Sequence, residues 1–210
     1  MRVMLLGASG LVGGHVLEAL LADARCTWVV APSRRTLQRL DDRLLNPVLD
    51  FERLPGTAPW WAVDAVVCAL GSTMAQAGSR AAFSRIDHDY PLAFAGQAHA
   101  HGAGTFVLNS AAGADANSRI FYSRVKGRLE EGLRALEFDS LTLVRPGLIG
   151  GQRAQTRTGE HLAAKVLGML GPVLPRGWRI NPAENIAGAM VEAALAPRPG
   201  VQVIGAAELA

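Results

Sequence analysis

The run Gly7-Ala8-Ser9-Gly10-Leu11-Val12-Gly13 constrains this chain more than any other stretch. It spells G-x-x-G-x-x-G, follows the short apolar segment Arg2-Val3-Met4-Leu5-Leu6, and leads into a helical pattern from Leu11 to Leu21. Glycines at this spacing permit a tight strand-to-helix turn and let backbone N–H groups approach a pyrophosphate. The last of them also lets the helix pack close on a sheet. A helix N-terminus adds unpaired N–H donors and a partial positive charge. Three glycines alone are a weak sign, but their place between a first strand and a first helix makes them a strong one. Gly7, Ser9, Gly10, Leu11, Val12 and Gly13 are therefore expected against a dinucleotide.

The remaining chain keeps the alternation that such a turn implies. Strands are expected at Thr27–Ala31, Pro47–Leu49, Asp64–Leu70, Phe106–Leu108 and Leu141–Val144, with helices over Arg80–His101 and Tyr122–Leu136. Alternating strands and helices give an α/β fold, a doubly wound and mostly parallel sheet of the Rossmann kind. At 210 residues the chain suits one domain. After about residue 150 the alternation loosens, and this part is expected to form a small substrate-side lobe. Helices at Gly159–Leu170 and Pro182–Leu195 and an edge strand at Val201–Ile204 are expected there. Arg157, Glu160, His161, Trp178 and Arg179 in this part are candidates for meeting a polar or anionic substrate group.

The end of the second strand discriminates between cofactors. An acid at that point would bond the adenosine ribose hydroxyls and favour NAD. Here it reads Ser33-Arg34-Arg35, and two planar guanidiniums suit a phosphate monoester on the ribose. NADP (as NADPH) is expected rather than NAD. Asp50 and Phe51 after the third strand, and Leu70, Gly71 and Ser72 after the fourth, lie where adenine and ribose would pass.

Tyr122-Ser123-Arg124-Val125-Lys126 places a phenol and an ammonium four positions apart, on one face of a helix. With so few tyrosines and lysines in the chain, chance produces that spacing only roughly 2% of the time. A free phenol titrates near ~10 and cycles poorly as an acid near neutrality. A neighbouring lysine cation favours the tyrosinate and can hold the nicotinamide ribose. Ser110 ends the fifth strand and is the expected hydrogen-bond partner for a substrate oxygen on which charge develops. Ser110, Tyr122 and Lys126 are the candidate catalytic residues, for a small carbonyl substrate.

Other classes are disfavoured. The formal charge is only +3, which does not suggest nucleic acid as the main partner, and no apolar stretch reaches membrane-spanning length. Cys26 and Cys68 form no CxxC pair, and the five histidines form no ligand pattern, so neither a disulfide framework nor a metal site is expected. With no basic-then-apolar leader before the first strand, a reducing, cytoplasmic setting is the default expectation. Trp60-Trp61 is expected to cover a sheet edge, and Tyr90 and His88 to serve packing or a homodimer face.

With these residues in hand, the chain resembles an atypical short-chain dehydrogenase/reductase, and more closely the Tat-interacting-protein oxidoreductase group. The similarity runs from Val3 to about Glu192, through GASGLVG, LDFERL, CALGST, RIDHDYPLAFAGQAHAHG, NSAAGAD, YSRVKG and VRPGLIGG. The resemblance implies a Rossmann fold, NADPH binding, and a serine–tyrosine–lysine site falling on Ser110, Tyr122 and Lys126. It also implies that Pro146, Gly147, Leu148 and Ile149 pass the nicotinamide. Two positions depart from the pattern: Ala111 stands where a second serine is common, and Asp87 where the wider superfamily often has an asparagine that orders the lysine through water. Three functions are open: a carbonyl-reducing enzyme, a redox-sensing protein that binds NADP(H) with little catalysis, and an isomerase or dehydratase that keeps its cofactor.

Overall fold

A computed structural model describes residues 1–150 and 180–210. At its centre lies β1 (Arg2–Leu6), where Val3, Met4, Leu5 and Leu6 have no solvent exposure. A strand apolar at every position needs cover on both faces, and a parallel sheet supplies it. The other strands are β2 (Trp28–Val30), β3 (Leu44–Leu45), β4 (Ala65–Cys68), β5 (Thr105–Asn109), β6 (Ser140–Arg145), β7 (Ile149–Gly150), β8 (Asn181–Pro182) and β9 (Gly200–Gly205). Seven of them form one sheet in the order β3-β2-β1-β4-β5-β6-β9, parallel throughout. β7 and β8 pair separately.

The helices are α1 (Leu11–Ala22), α2 (Met74–Ala77), α3 (Arg80–Ser84), α4 (Tyr90–Ala100), α5 (Phe121–Arg134) and α6 (Ala183–Leu195). α1 and α6 cover the sheet face that carries Val3, Leu5, Val67 and Val107. α4 and α5 cover the other, over Met4, Leu6, Cys68, Phe106 and Leu108. The chain winds outward from β1 through β2 to β3, then crosses back to β4 and builds the other way. That reversal puts the switch point at the carboxyl ends of β1 and β4, the place where ligands bind in sheets of this kind.

Three features differ from the sequence expectations. The third strand is Leu44–Leu45 rather than Pro47–Leu49, where only a bridge between Ser33 and Val48 persists. Pro47 has no N–H to donate, so pairing there narrows to its carbonyl and the neighbouring groups. The expected long helix is interrupted by a π turn, Arg85–Asp89, in which the Tyr90 N–H reaches back five residues to the Arg85 carbonyl. Finally, Ala183–Leu195 and Gly200–Gly205 do not stand in a lobe. α6 is built into the first core, and β9 extends the sheet beside β6. The helix expected at Gly159–Leu170 and the candidates Arg157, Glu160, His161, Trp178 and Arg179 lie outside the described residues.

Candidate active site

The glycine turn closes as the motif requires. Gly7 has φ +85°, and the Gly10 N–H bonds its carbonyl at 2.9 Å. A Cβ on Gly13 would lie 2.0 Å from the Gly7 carbonyl oxygen, and one on Gly7 would lie 2.7 Å from the backbone of Ala69 and Leu70. Backbone occupies both spaces, so side chains are excluded. Gly10 is the N-cap of α1, with no side-chain cap and no acid in the first turn, which leaves the leading N–H groups free of protein anions. This is the cradle a pyrophosphate fits. Ser9 is exposed, Leu11 half-buried, and Val12 is buried under the helix.

Beyond β2, the Ser33 hydroxyl donates to the Arg35 carbonyl at 2.5 Å and accepts from Asn46 Nδ2 at 2.8 Å. These bonds fix the loop, and Arg34 and Arg35 project into solvent. Neither guanidinium pairs with an acid among the described residues. Asp50 is exposed and accepts from the Glu52 N–H at 3.0 Å. The Phe51 ring turns inward and is buried, edge-on to Phe94 at 4.9 Å and Tyr90 at 5.6 Å.

Tyr122 and Lys126 come together as their spacing implies. Tyr122 lies 38% exposed against the Phe83 ring, and Lys126 is buried one turn further along α5. Its Nζ is 2.8 Å from Asp87 Oδ1. Burial presses this ammonium toward neutrality, but Asp87 and Tyr122 beside it outweigh that and raise its pKa above the usual lysine value. Asp87 comes from the π turn, and its Oδ2 accepts from the Ser72 N–H at 2.8 Å and hydroxyl at 2.7 Å. The loop after β4, Leu70-Gly71-Ser72, is thereby tied to the lysine. Asp87 stood out in the sequence only as a departure from an asparagine; a direct ion pair replaces the water-mediated contact expected there.

Among the described residues no hydrogen bond joins Ser110 to this pair. Side chains alternate along a strand, and Ser110 follows Phe106 and Leu108 onto the face covered by α5. Its hydroxyl donates to Glu130 Oε1 at 2.6 Å. Glu130 is itself buried, held by Arg145 Nε at 2.9 Å, by a second bond from Arg145, and by Arg134 at 3.3 Å. The guanidinium of Arg145 is held further toward its charged form by the bond to Glu130, against a smaller effect of burial. This network ties β5, α5 and β6 together. The expectation of a substrate-facing hydroxyl at Ser110 is corrected accordingly: its one hydrogen is engaged elsewhere, and the next residue is Ala111.

The Pro146–Ile149 segment follows β6, with Pro146 buried and Leu148 and Ile149 exposed. It is clamped by Asn181, which the sequence reading missed. Asn181 Oδ1 accepts from the Gly147 N–H at 2.8 Å, and its Nδ2 donates to the Ala206 carbonyl at 2.8 Å. Nothing local in the sequence marks an asparagine 34 positions away as a clamp. Cys26 and Cys68 are both free and buried; Trp61 is fully buried and stacks on His101.

A glycine cradle at the switch point of a parallel sheet, with a Tyr-x-x-x-Lys helix at the same edge, defines the chain as an atypical short-chain dehydrogenase/reductase. Within that class it belongs to the family of HTATIP2 and fmp52. It is 36% identical to HTATIP2 of Rattus norvegicus, over 94% of this chain and 83% of that protein. It is also 36% identical to the mitochondrial protein fmp52 of Emericella nidulans, over 84% of this chain and 80% of that protein. No protein-family model matches the chain. Among solved structures, MoeE5 in complex with UDP-glucose and NAD superposes with a TM-score of 0.73 at 16% identity, covering 98% of this chain and 76% of that one. A short-chain dehydrogenase family protein from Francisella tularensis gives 0.68 at 14% identity, covering 99% and 98%. These two likenesses establish the fold.

The names also correct the cytoplasmic expectation, since the fmp52 relatives from Emericella nidulans and Aspergillus niger are named as mitochondrial. Unpaired cysteines distinguish a reducing compartment from an oxidising one, not one reducing compartment from another.

Proposed function

We propose that the chain is an NADPH-dependent oxidoreductase that reduces a small carbonyl compound, with Tyr122 as proton donor and Lys126 as the cation that supports it. The observation that carries this reading is the charged, buried Lys126 one helical turn from a half-exposed Tyr122, at the sheet edge that also holds the glycine cradle. The cradle from Gly7 to Gly13 would hold the pyrophosphate, Arg34 and Arg35 the ribose phosphate, and the remaining N–H donors of Lys126 the nicotinamide ribose. The free guanidiniums support NADP over NAD, because a phosphate monoester there would find charge-assisted, forked donors.

When bound, the dinucleotide supplies a hydride to the carbonyl carbon. The carbonyl electron pair moves onto oxygen, and the Tyr122 hydroxyl gives its proton to that oxygen, leaving an alcohol. Lys126 stabilises the phenolate that remains, and water can return the proton because the ring edge is open to solvent. The proposal assigns Ser110 no substrate contact, because its hydrogen lies on Glu130.

NADPH oxidation with a panel of aldehydes and ketones tests the reading. The expected outcome is turnover that falls by about 10²–10⁴ in Tyr122→Phe while NADPH binding is retained. Undiminished turnover in that variant refutes the role of Tyr122. Binding of NADPH with no turnover on any carbonyl favours the redox-sensing alternative.

A further inference from the structure

The Lys126–Asp87 pair is buried, with Ser72 and Gly71 covering it from the loop after β4. The two side chains are 5% and 1% exposed. Ser72 adds two donors to Asp87, and Gly71 runs so close above that a Cβ there would sit 3.2 Å from Asp87 Oδ1 and 3.6 Å from Lys126 Nζ. The titratable groups facing Lys126 are Asp87 from the π turn, Tyr122 from its own helix and Cys68 from the end of β4. Asp87 is the one carboxylate among them. An asparagine would satisfy the same Ser72 donors through its carbonyl oxygen, so the Ser72 bonds alone do not require an acid. What the acid adds is charge.

We propose that Asp87 is a positioning residue that cancels the charge of Lys126 in the dinucleotide site, and so sets the balance between oxidised and reduced nicotinamide nucleotide. This rests on the reading that the site binds such a nucleotide. The oxidised nicotinamide ring carries a positive charge and the reduced ring is neutral. A lone buried ammonium would disfavour the oxidised form; a compensated one does not. Removing the carboxylate leaves a net positive site. A full charge acting across about 8 Å through an effective dielectric of about 20–40 alters relative affinity by about five- to thirty-fold.

The sign with pH follows from the same geometry. Burial opposes the lysine charge, and Asp87 is the largest of the influences that sustain it. Without Asp87 the ammonium gives up its proton more readily, so the excess charge is greatest at acid pH and fades as the solution becomes alkaline.

The test is to titrate NADP+ and NADPH separately into wild type, Asp87→Asn, Asp87→Ser and Asp87→Glu, each checked for folding by circular dichroism. Asp87→Asn and Asp87→Ser both remove the charge, so either one, folded, gives the answer. At a pH of about 6, below the ordinary lysine value, the ratio of dissociation constants, oxidised over reduced, is expected to rise about five- to thirty-fold. It should narrow toward alkaline pH, and Asp87→Glu should restore the wild-type ratio. A purely structural role would weaken both forms alike, and an unchanged ratio in the charge-removing variants at that acid pH overturns the proposal. Failure of wild type to bind either form overturns the underlying reading instead.

Discussion

Replacing Ser110 by alanine separates two roles for one hydroxyl. In the structure Ser110 is 4% exposed and donates at 2.6 Å to Glu130, itself 1% exposed. A hydrogen bond to a charged acceptor contributes about 1.5–3 kcal/mol. Glu130 keeps its donors from Arg145 and Arg134 when Ser110 is lost, which places the cost near the lower end, about 1–2 kcal/mol. For a domain of this size that lowers Tm by about 2–8 °C. Thermal unfolding followed by circular dichroism gives that number, and NADPH oxidation on an accepted carbonyl gives the other. Turnover should stay at the wild-type level once the protein is folded. The removal of an oxyanion donor behaves in the opposite way, costing about 10²–10³ in kcat. An unchanged Tm with a loss of that size would refute the structural assignment and return Ser110 to the substrate.

Other outcomes follow from the same geometry. Gly127→Ala places a methyl 2.1 Å from the Ala116 nitrogen and 2.2 Å from the Asp115 carbonyl carbon, backbone that has no rotamer to yield. It should cost about 1–3 kcal/mol in a denaturant titration and weaken NADPH binding by lifting α5 from its loop. Arg34→Ala with Arg35→Ala should weaken NADPH binding by about tenfold or more, leaving NADH unaffected, as read by fluorescence titration. Hydrogen bonds from the Arg25 side chain and backbone hold Asp23 at about 2. Such a depressed carboxylate contributes stability above its unfolded value and loses it as pH falls toward the folded one. The stability curve of Asp23→Asn should therefore be flatter than that of wild type between the unfolded value of 3.8 and about 2. The effect should be small, because the pair is exposed to solvent.

The parts of this molecule written in local pattern could be read from the sequence. The buried runs Val3–Leu6 and Ala65–Cys68 announce parallel strands by lacking any polar position, and the glycine turn announces its own geometry. Tyr122 and Lys126 share a face because 3.6 residues make a turn. Ser110 shows where a one-dimensional reading stops short. Its partner, Glu130, is a buried acid on α5, and the bonds that hold it come from Arg134 on the same helix and Arg145 on β6, a juxtaposition that no local pattern marks. Asp87 was legible only as a departure from an asparagine; its direct pairing with Lys126 is made from the π turn Arg85–Asp89, which leaves no mark in hydrophobic periodicity. β9 was legible as an edge strand at Val201–Ile204, whereas Asn181 was obscure because it acts on a segment 34 positions away, where short-range pattern carries no information about pairing.

The account depends on a nicotinamide dinucleotide occupying the glycine cradle, and calorimetric titration of NADPH into the folded chain addresses that without reference to any substrate. Saturable binding of one nucleotide per chain is the predicted result. A natively folded sample that takes up neither NADPH nor NADH would contradict it.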